Sequence, residues 1–518
     1  MTARKWNFNL ALLTALLWCP VNVVHGFAGN IPYVTKHEAE AFHCHLRCRH
    51  PAYSRGPTKS YLKARAVAED RSTSSESIRE QRGEDQFEQW ATLAGIKAPK
   101  LRHAVFEDEL VGELRGLRAL EATCKSEQLA TVPAKATISL TASEPTPFRS
   151  WVSPVFWDSQ QWYVKLALKL LWERQLGAAS AVEGYVNVLP AQGSFQTPIH
   201  WTDQELDALE YPRCAASAKR QRASWDKLYQ DLVERCPEGA GRVVTKDDLV
   251  WALECVLSRT FNGRFAGGQN SAILSFGLLA ASGAAYALTE QPVWALLAAL
   301  ALLPLTLPEL RAVTSAVTGK PEAMASSDYV LVPFVDSMNH VTSAKTELSF
   351  SPISGELAVS VNRGYSEGEQ AYISYGLKSN DELLQFYGFV EADCPADTYV
   401  VEDIATRLGM SAKGVAPIKE VIIKRGAEVV GKETLEGLRA LFGAAGGGAQ
   451  GDSAIWRALR TTCESDLARV RPDGLGAAAV DARGGVRGRL AVAFRREKAS
   501  VLDEAIRNLE KLEKAATL

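Results

Sequence analysis

Two stretches, DYVLVPFVDSMNH at 328–340 and NRGYSEGEQAYISYGLKSNDELLQFYGFV at 362–390, decide how the 518-residue chain is read. An apolar run, YVLVPFV, ends in a polar cluster from Asp336 to His340. A polar cluster at a strand end is a place where a ligand can meet backbone and side-chain donors. Gly364 and Glu367-Gly368-Glu369 mark turns, Tyr372 and Tyr375 close a strand, and Tyr387 and Phe389 follow a short helix. Any one of these aromatic residues alone reads as core, and His340 alone reads as a hydrogen-bonded core histidine.

Outward from that segment the pattern alternates. Residues 116–140 read as short strands with a turn and a proline stop. WYVKLALKLLWERQLG carries Tyr163, Leu166, Leu170 and Leu171 at helical spacing. WTDQELDAL starts with Thr202 as a helix cap and acidic residues in the first turn. KDDLVWALECVLSRTF is another amphipathic helix. Residues 396–518 read as helical, interrupted by GAAGGGAQGD at 443–452. Strands, helices, strands and a helical tail make an α+β pattern with an inserted helical layer.

The ordered set DSMNH, GEQ, ISYG, KSN and YGF resembles the C-terminal half of a SET domain. GLRALEATCKSEQLATVP, LALKLLWERQLG, SRTF and LAVAFRREKASVLDEAIRNL extend the resemblance to the Rubisco large-subunit lysine N-methyltransferases, over about 90 to 515. That resemblance implies a SET domain over 89–395 with knotted C-terminal part, its helical insert at 155–327, and an all-helical substrate-binding domain over 396–518. It implies S-adenosylmethionine as cofactor and a lysine side chain of a protein as acceptor. Plastid proteins of the Rubisco large-subunit or aldolase type are the expected substrates.

Residue by residue, Glu113 to Gly116 match the strand pair that meets the cofactor, with Glu113-Leu114-Arg115-Gly116 where the family has EGLG. The leucine at 114 stands where that pattern has glycine, and Glu113, Arg115 and Gly116 are the cofactor-binding candidates that the resemblance implies here. Arg259 matches the residue that holds the methionine carboxylate, which suits a planar guanidinium. Phe261 would line the same pocket. Asp336, Asn339 and His340 match the loop that holds the adenine and amino group. Tyr375 matches the catalytic tyrosine, and Tyr387 and Phe389 would wall the substrate channel. The implied reaction is an in-line methyl transfer to a neutral amine, which needs positioning rather than a metal. Two other readings stay open: a SET-fold scaffold without turnover, and a protein-histidine methyltransferase.

Composition sets limits on the rest. A net charge of -2 gives no global reason to bind nucleic acid. The nine cysteines contain no CxxC pair, so neither a zinc site nor a disulfide framework is expected. The six beyond residue 100 are expected to be reduced core thiols, and the protein a monomer. Residues 1–26 read as a signal peptide with a basic start and an apolar core from Leu10 to Val24. A basic, acid-poor tail follows Phe27, and 68–88 read as a linker, so 27–88 is a leader of transit-peptide type. Together these resemble the bipartite leader of algae with secondary plastids; plain secretion is the alternative. The stretch 265–310 holds two apolar runs separated by Glu290-Gln291-Pro292. It is expected to contact a membrane, against the alternative of a buried helical hairpin.

Overall fold

The computed structural model describes residues 24–25, 86–141, 144–263, 328–351, 354–408, 418–444, 451–471 and 485–517. Most of the leader and all of the 265–310 stretch lie outside the described residues. Val24–His25 pairs antiparallel with Leu348 and Glu347. A helix is described over 86–94, with Phe87 and Ala91 buried in the strand core.

Strands β1 (Leu101–Asp108) and β2 (Gly112–Ala119) form a hairpin in register from Leu101 opposite Ala119 to Asp108 opposite Gly112. β3 (Gln128–Pro133) ends at its proline, as the sequence suggests, and β4 (Ile138–Leu140) follows. The helical layer comes next. Its main members are α1 (Trp162–Leu176), α2 (Pro212–Arg235) and α3 (Lys246–Arg259). α1 is buried nearly all round, through Val164, Ala167 and Leu168 as well as Leu166, Leu170 and Leu171, while Tyr163 is only half-buried. It is a core helix rather than a surface helix with one apolar face. Thr202 and Thr245 each cap a helix through a reciprocal box, with Glu205 and Asp248 respectively.

β5 (Thr260–Gly263) leaves α3 directly and pairs with β6 (Asp328–Leu331), which also pairs with β4. β7 (Asn339–His340) lies parallel to β10 (Gln370–Ile373), and β10 pairs antiparallel with β2. β8 (Thr346–Ser351) and β9 (Glu356–Val361) form a hairpin whose outer edge takes β3. Apolar faces of these strands make one core, with Leu117, Val132, Val359 and Ile373 fully inside.

α4 (Asn380–Tyr387) follows β10, and among the described residues the C-terminal region is helical, through α5 (Lys432–Ala444), α6 (Gly451–Val470) and α7 (Gly485–Thr517), apart from one strand pair. β11 (Thr398–Glu402) and β12 (Glu420–Lys424) pair antiparallel over five residues, so this part is not all-helical. TYVVE and EVIIK alternate around Tyr399, Val401, Val421 and Ile423, which are buried against α6 and α7. Such short β-branched runs pack better on a pleated surface than in a helix.

Lys498 on α7 is fully buried and bonded to Asp397 at 2.7 Å, to the Thr398 carbonyl at 2.7 Å and to Asp381. Its neighbour Glu497 is also buried, accepts from the Asp393 N–H at 3.0 Å and lies 3.3 Å from Arg425. Burial lifts the Glu497 carboxyl to about 7, against the pull of Arg425 and with Asp397 and Asp393 adding to it. A carboxyl raised on folding contributes most below its ordinary value of 4.5, and that contribution is lost as pH rises through about 7. Thermal melting between about pH 5 and about pH 8 should therefore show wild type losing stability relative to Glu497→Gln. Parallel curves for the two proteins would contradict this assignment.

Candidate active site

Three separate parts of the chain converge beside β10. The first is β2. Asn339 donates from Nδ2 to the Arg115 carbonyl at 2.9 Å, fixing β7 against β2. A Cβ at Gly116 would lie 2.8 Å from that Asn339 nitrogen and 2.4 Å from Gln370 Nε2. Glycine at 116 is therefore what lets the asparagine side chain sit over the strand. Arg115 donates to the Val188 carbonyl at 2.7 Å. Glu113 is exposed, two residues earlier on the same face of β2.

The second part is the end of α3. Arg259 Nη1 donates to the Asp336 carbonyl at 2.8 Å and lies 3.6 Å from its carboxylate. Tyr185 donates its hydroxyl to the same carboxylate at 2.7 Å. Burial raises the Asp336 carboxyl against the opposing pull of Arg259 and Tyr185. The Arg259 Nε–H is buried with no hydrogen-bond partner. Phe261 follows on β5, opposite Val330, and packs on the strand core. The loop before Asp336 is held by Phe334 at φ +72, an uncommon conformation for a bulky residue. Its ring packs edge-on to His103 at 5.3 Å.

The third part is aromatic. His340 and Tyr375 stack at 4.9 Å, and Tyr375 and Tyr387 stack at 4.9 Å on the other side. Phe389 stands edge-on to both tyrosines, 6.5 and 6.2 Å away. Tyr387 ends α4 (Asn380–Tyr387), which stops at Gly388 with φ +75. A Cβ there would come within 3.1 Å of the Gln196 backbone, so only glycine turns the chain tightly enough to bring Phe389 back to Tyr387. Tyr375 donates its hydroxyl to the Met338 carbonyl at 2.9 Å, and its backbone N–H donates to His340 Nδ1 at 2.9 Å. Burial pushes the Tyr375 hydroxyl up to about 12, although Arg259 pulls it down, so it is a neutral phenol at physiological pH.

The structure thus gathers Arg115, Gly116, Arg259, Phe261, Asp336, Asn339, His340, Tyr375, Tyr387 and Phe389 on and around β2, β7 and β10, with Glu113 at the exposed margin. Sequence reading passed over Tyr185, His103 and Glu391. Tyr185 sits in YVNVLP, a stretch read only as part of the helical insert, with no role for its tyrosine. His103 is buried with both ring nitrogens unpartnered, and burial, Arg115 and Arg259 hold it down to about 3. Glu391 directly follows the apolar YGFV, and a carboxylate placed there was the one available signal. Of the six body thiols, Cys124 is exposed rather than core, because it lies in the turn after β2; the other five are buried. Among the described residues no group of three metal-ligating side chains converges, and no helix is long and apolar enough to cross a membrane.

Removing one member of a buried charge pair leaves the other unsatisfied. Asp336→Ala should cost about 3–5 kcal/mol in urea unfolding. Tyr185→Phe should cost less, about 1.5–3 kcal/mol for one hydrogen bond to a charged group. Equal losses for the two variants would show that Arg259 does not depend on the Asp336 charge.

No family model matches the chain. Actin-histidine N-methyltransferase of Drosophila melanogaster is 24% identical over 345 residues, 66% of this chain and 56% of that protein. The chloroplastic fructose-bisphosphate aldolase-lysine N-methyltransferase of Arabidopsis thaliana is 24% identical over 397 residues, 74% of this chain and 63% of that protein. The chain therefore spans between half and two thirds of the length of these relatives. The solved SET domain of LSMT bound to lysine and AdoHcy matches 84% of this chain and 92% of its own, with a TM-score of 0.55 and 18% identity. Rubisco LSMT bound to AdoMet matches 84% of this chain and 93% of its own, with a TM-score of 0.52 and 18% identity. An ordered motif set, a strand core with an inserted helical layer, and these structural neighbours give the chain the SET-domain fold of the Rubisco LSMT structures.

Proposed function

We propose that the protein is an S-adenosylmethionine-dependent protein-lysine N-methyltransferase acting on a plastid protein of the Rubisco large-subunit or aldolase type. The observation that carries this reading is the neutral Tyr375 phenol, fixed at its oxygen by the Met338 carbonyl and at its backbone by His340, between two aromatic faces.

The residues present fit the cofactor. The Arg259 Nε–H is a buried donor without a partner, aimed from a mostly buried side chain, and a carboxylate would satisfy it. Arg115, Gly116, Phe261, Asp336, Asn339 and His340 surround the same region, and Glu113 borders it. When bound, S-adenosylmethionine supplies an electrophilic methyl group. This chain's residues must then bind, orient and exclude water. Tyr375 spends its proton on Met338, so its oxygen lone pairs remain to accept from an amine in the channel. Tyr387 and Phe389 offer aromatic faces, which attract an ammonium or methylammonium and keep water out. A desolvated channel also favours the neutral, nucleophilic amine.

The aromatic wall favours lysine over histidine, because cation–π attraction suits an ammonium. A histidine acceptor would also need a polar partner for its second ring nitrogen. The actin-histidine relative makes ring methylation the outcome to test against. A plastid location rests on the leader's composition and on the named location of the Arabidopsis relative. Membrane contact through 265–310 rests on its two uncharged apolar runs, one on each side of Glu290, alone.

Calorimetry on the full chain should show S-adenosylmethionine binding to wild type and to Tyr375→Phe, with most methyl transfer into plastid extract lost in the variant. Gly116→Ala should fold, since the clashing groups are side-chain ends, but should bind the cofactor about tenfold or more weakly as Asn339 is displaced. A wild-type protein that does not bind S-adenosylmethionine would refute the enzyme reading. Separately, 1–66 fused to a fluorescent protein should enter the plastid of an alga with secondary plastids, and Phe27→Ala should leave it outside. Unchanged import would remove the reason for preferring the plastid to secretion.

A further inference from the structure

A continuous run of buried polar contacts leads from the aromatic stack to the last helix, and methyl transfer as described above uses only Tyr375 and His340 of it. It begins at the Tyr375 backbone. A backbone N–H can only donate, so His340 Nδ1 must be unprotonated and the ring proton must sit on Nε2. Nε2 faces Thr342 Oγ1 at 3.2 Å and Glu391 Oε2 at 3.4 Å. Thr342 gives its hydroxyl proton to Glu391 Oε2 at 2.5 Å and its backbone N–H to Oε1 at 2.8 Å. Its oxygen is thereby left to accept from His340. Both Thr342 donors thus point at Glu391, which is 7% exposed.

Glu391 is itself fixed from behind. Its N–H donates to Asn380 Oδ1 at 2.8 Å, and its carbonyl accepts from Asn380 Nδ2 at 3.0 Å. Asn380, fully buried, donates its backbone N–H to Asp397 at 2.9 Å. Asp397 in turn accepts from Lys498 on α7 at 2.7 Å. Burial pushes the Glu391 carboxyl up, but the hydrogen bonds from His340 and Thr342 outweigh it and hold it down to about 2.

Resting on the reading of Tyr375 as catalytic, we propose that Glu391 is a positioning residue for methyl transfer. Through Thr342 it selects the Nε2–H tautomer of His340, and that tautomer fixes the main chain and ring plane of Tyr375. Asn380, Asp397 and Lys498 anchor Glu391 to the C-terminal helix, so the region that follows the SET domain helps set the geometry of the channel. The opposite tautomer would put an N–H of His340 against the N–H of Tyr375, donor to donor. Tyr375 would then have to move, and a misplacement of about an ångström at a reacting centre costs on the order of 100-fold in rate.

Glu391→Gln in the full chain tests this. Glutamine keeps the size and replaces one acceptor oxygen by an NH2 group that faces donors. The expected result is a kcat lowered by roughly 10- to 100-fold with KM for the acceptor protein and calorimetric affinity for S-adenosylmethionine unchanged. Nitrogen-15 spectra of histidine-labelled protein, with His340 assigned by comparison with His340→Gln, should show an unprotonated Nδ1 in wild type and its loss in Glu391→Gln. If Glu391→Gln does not fold, Thr342→Val, which removes the bridging hydroxyl and keeps the backbone donor, carries the same two expectations. An unchanged kcat, or a lowered kcat with the His340 tautomer unaltered, overturns the proposal. A wild type that transfers no methyl group refutes the enzyme reading instead, and the tautomer comparison still decides whether Glu391 positions His340.

Discussion

Two backbone pairs, Asn339 beside Tyr372 and His340 beside Ile373, hold the site together. Parallel pairing cannot be made by a tight turn, so the chain must leave β7, build the β8–β9 hairpin and return as β10. Consecutive residues of a strand face opposite ways, and so this short pairing sends Asn339 to the Arg115 carbonyl and His340 to Tyr375. A one-residue slip would exchange the two faces and dismantle both sides of the site. The antiparallel edge of β10 on β2 completes the arrangement by setting Gly116 under Asn339.

Buried charge around this pairing serves geometry more than stability. Arg259 with Asp336 and Lys498 with Asp397 both take ions out of water, and apolar replacements of equal volume are often no less stable. What they supply is direction. Arg259 is fixed beside the loop that carries Asn339 and His340, and Lys498 fixes the segment that carries Asn380 and Glu391. The apolar work is done elsewhere, by the strand core around Leu117 and Ile373 and by the helical layer around Leu166 and Leu253.

Tyr375, His340, Tyr387 and Phe389 were legible because they fall in one ordered stretch, and Arg259 because it ends a helix in a recognisable SRTF. The helix caps at Thr202 and Thr245 follow from local chemistry, so Thr202 could be read directly. Tyr185 was not legible: its role depends on Asp336, 151 residues away, and nothing local marks it. Glu391 lies next to a motif, but its meaning comes from His340 and Asn380, which only the folded chain brings to it. The β11–β12 pair was lost among helices because five-residue apolar runs do not declare a period. The burial of α1 on nearly all sides was hidden for a related reason: periodicity reports one face, while packing between layers can cover the rest.

The central claim is that this site moves a methyl group onto a lysine. It is tested most directly by mass spectrometry of a plastid extract incubated with the full-length protein and S-adenosylmethionine carrying a deuterated methyl group. The account predicts deuterated methyl on the side-chain amine of a lysine in one dominant protein, with most of it lost when Tyr375→Phe replaces wild type. Label on a histidine ring, or no label above the extract alone, would contradict it.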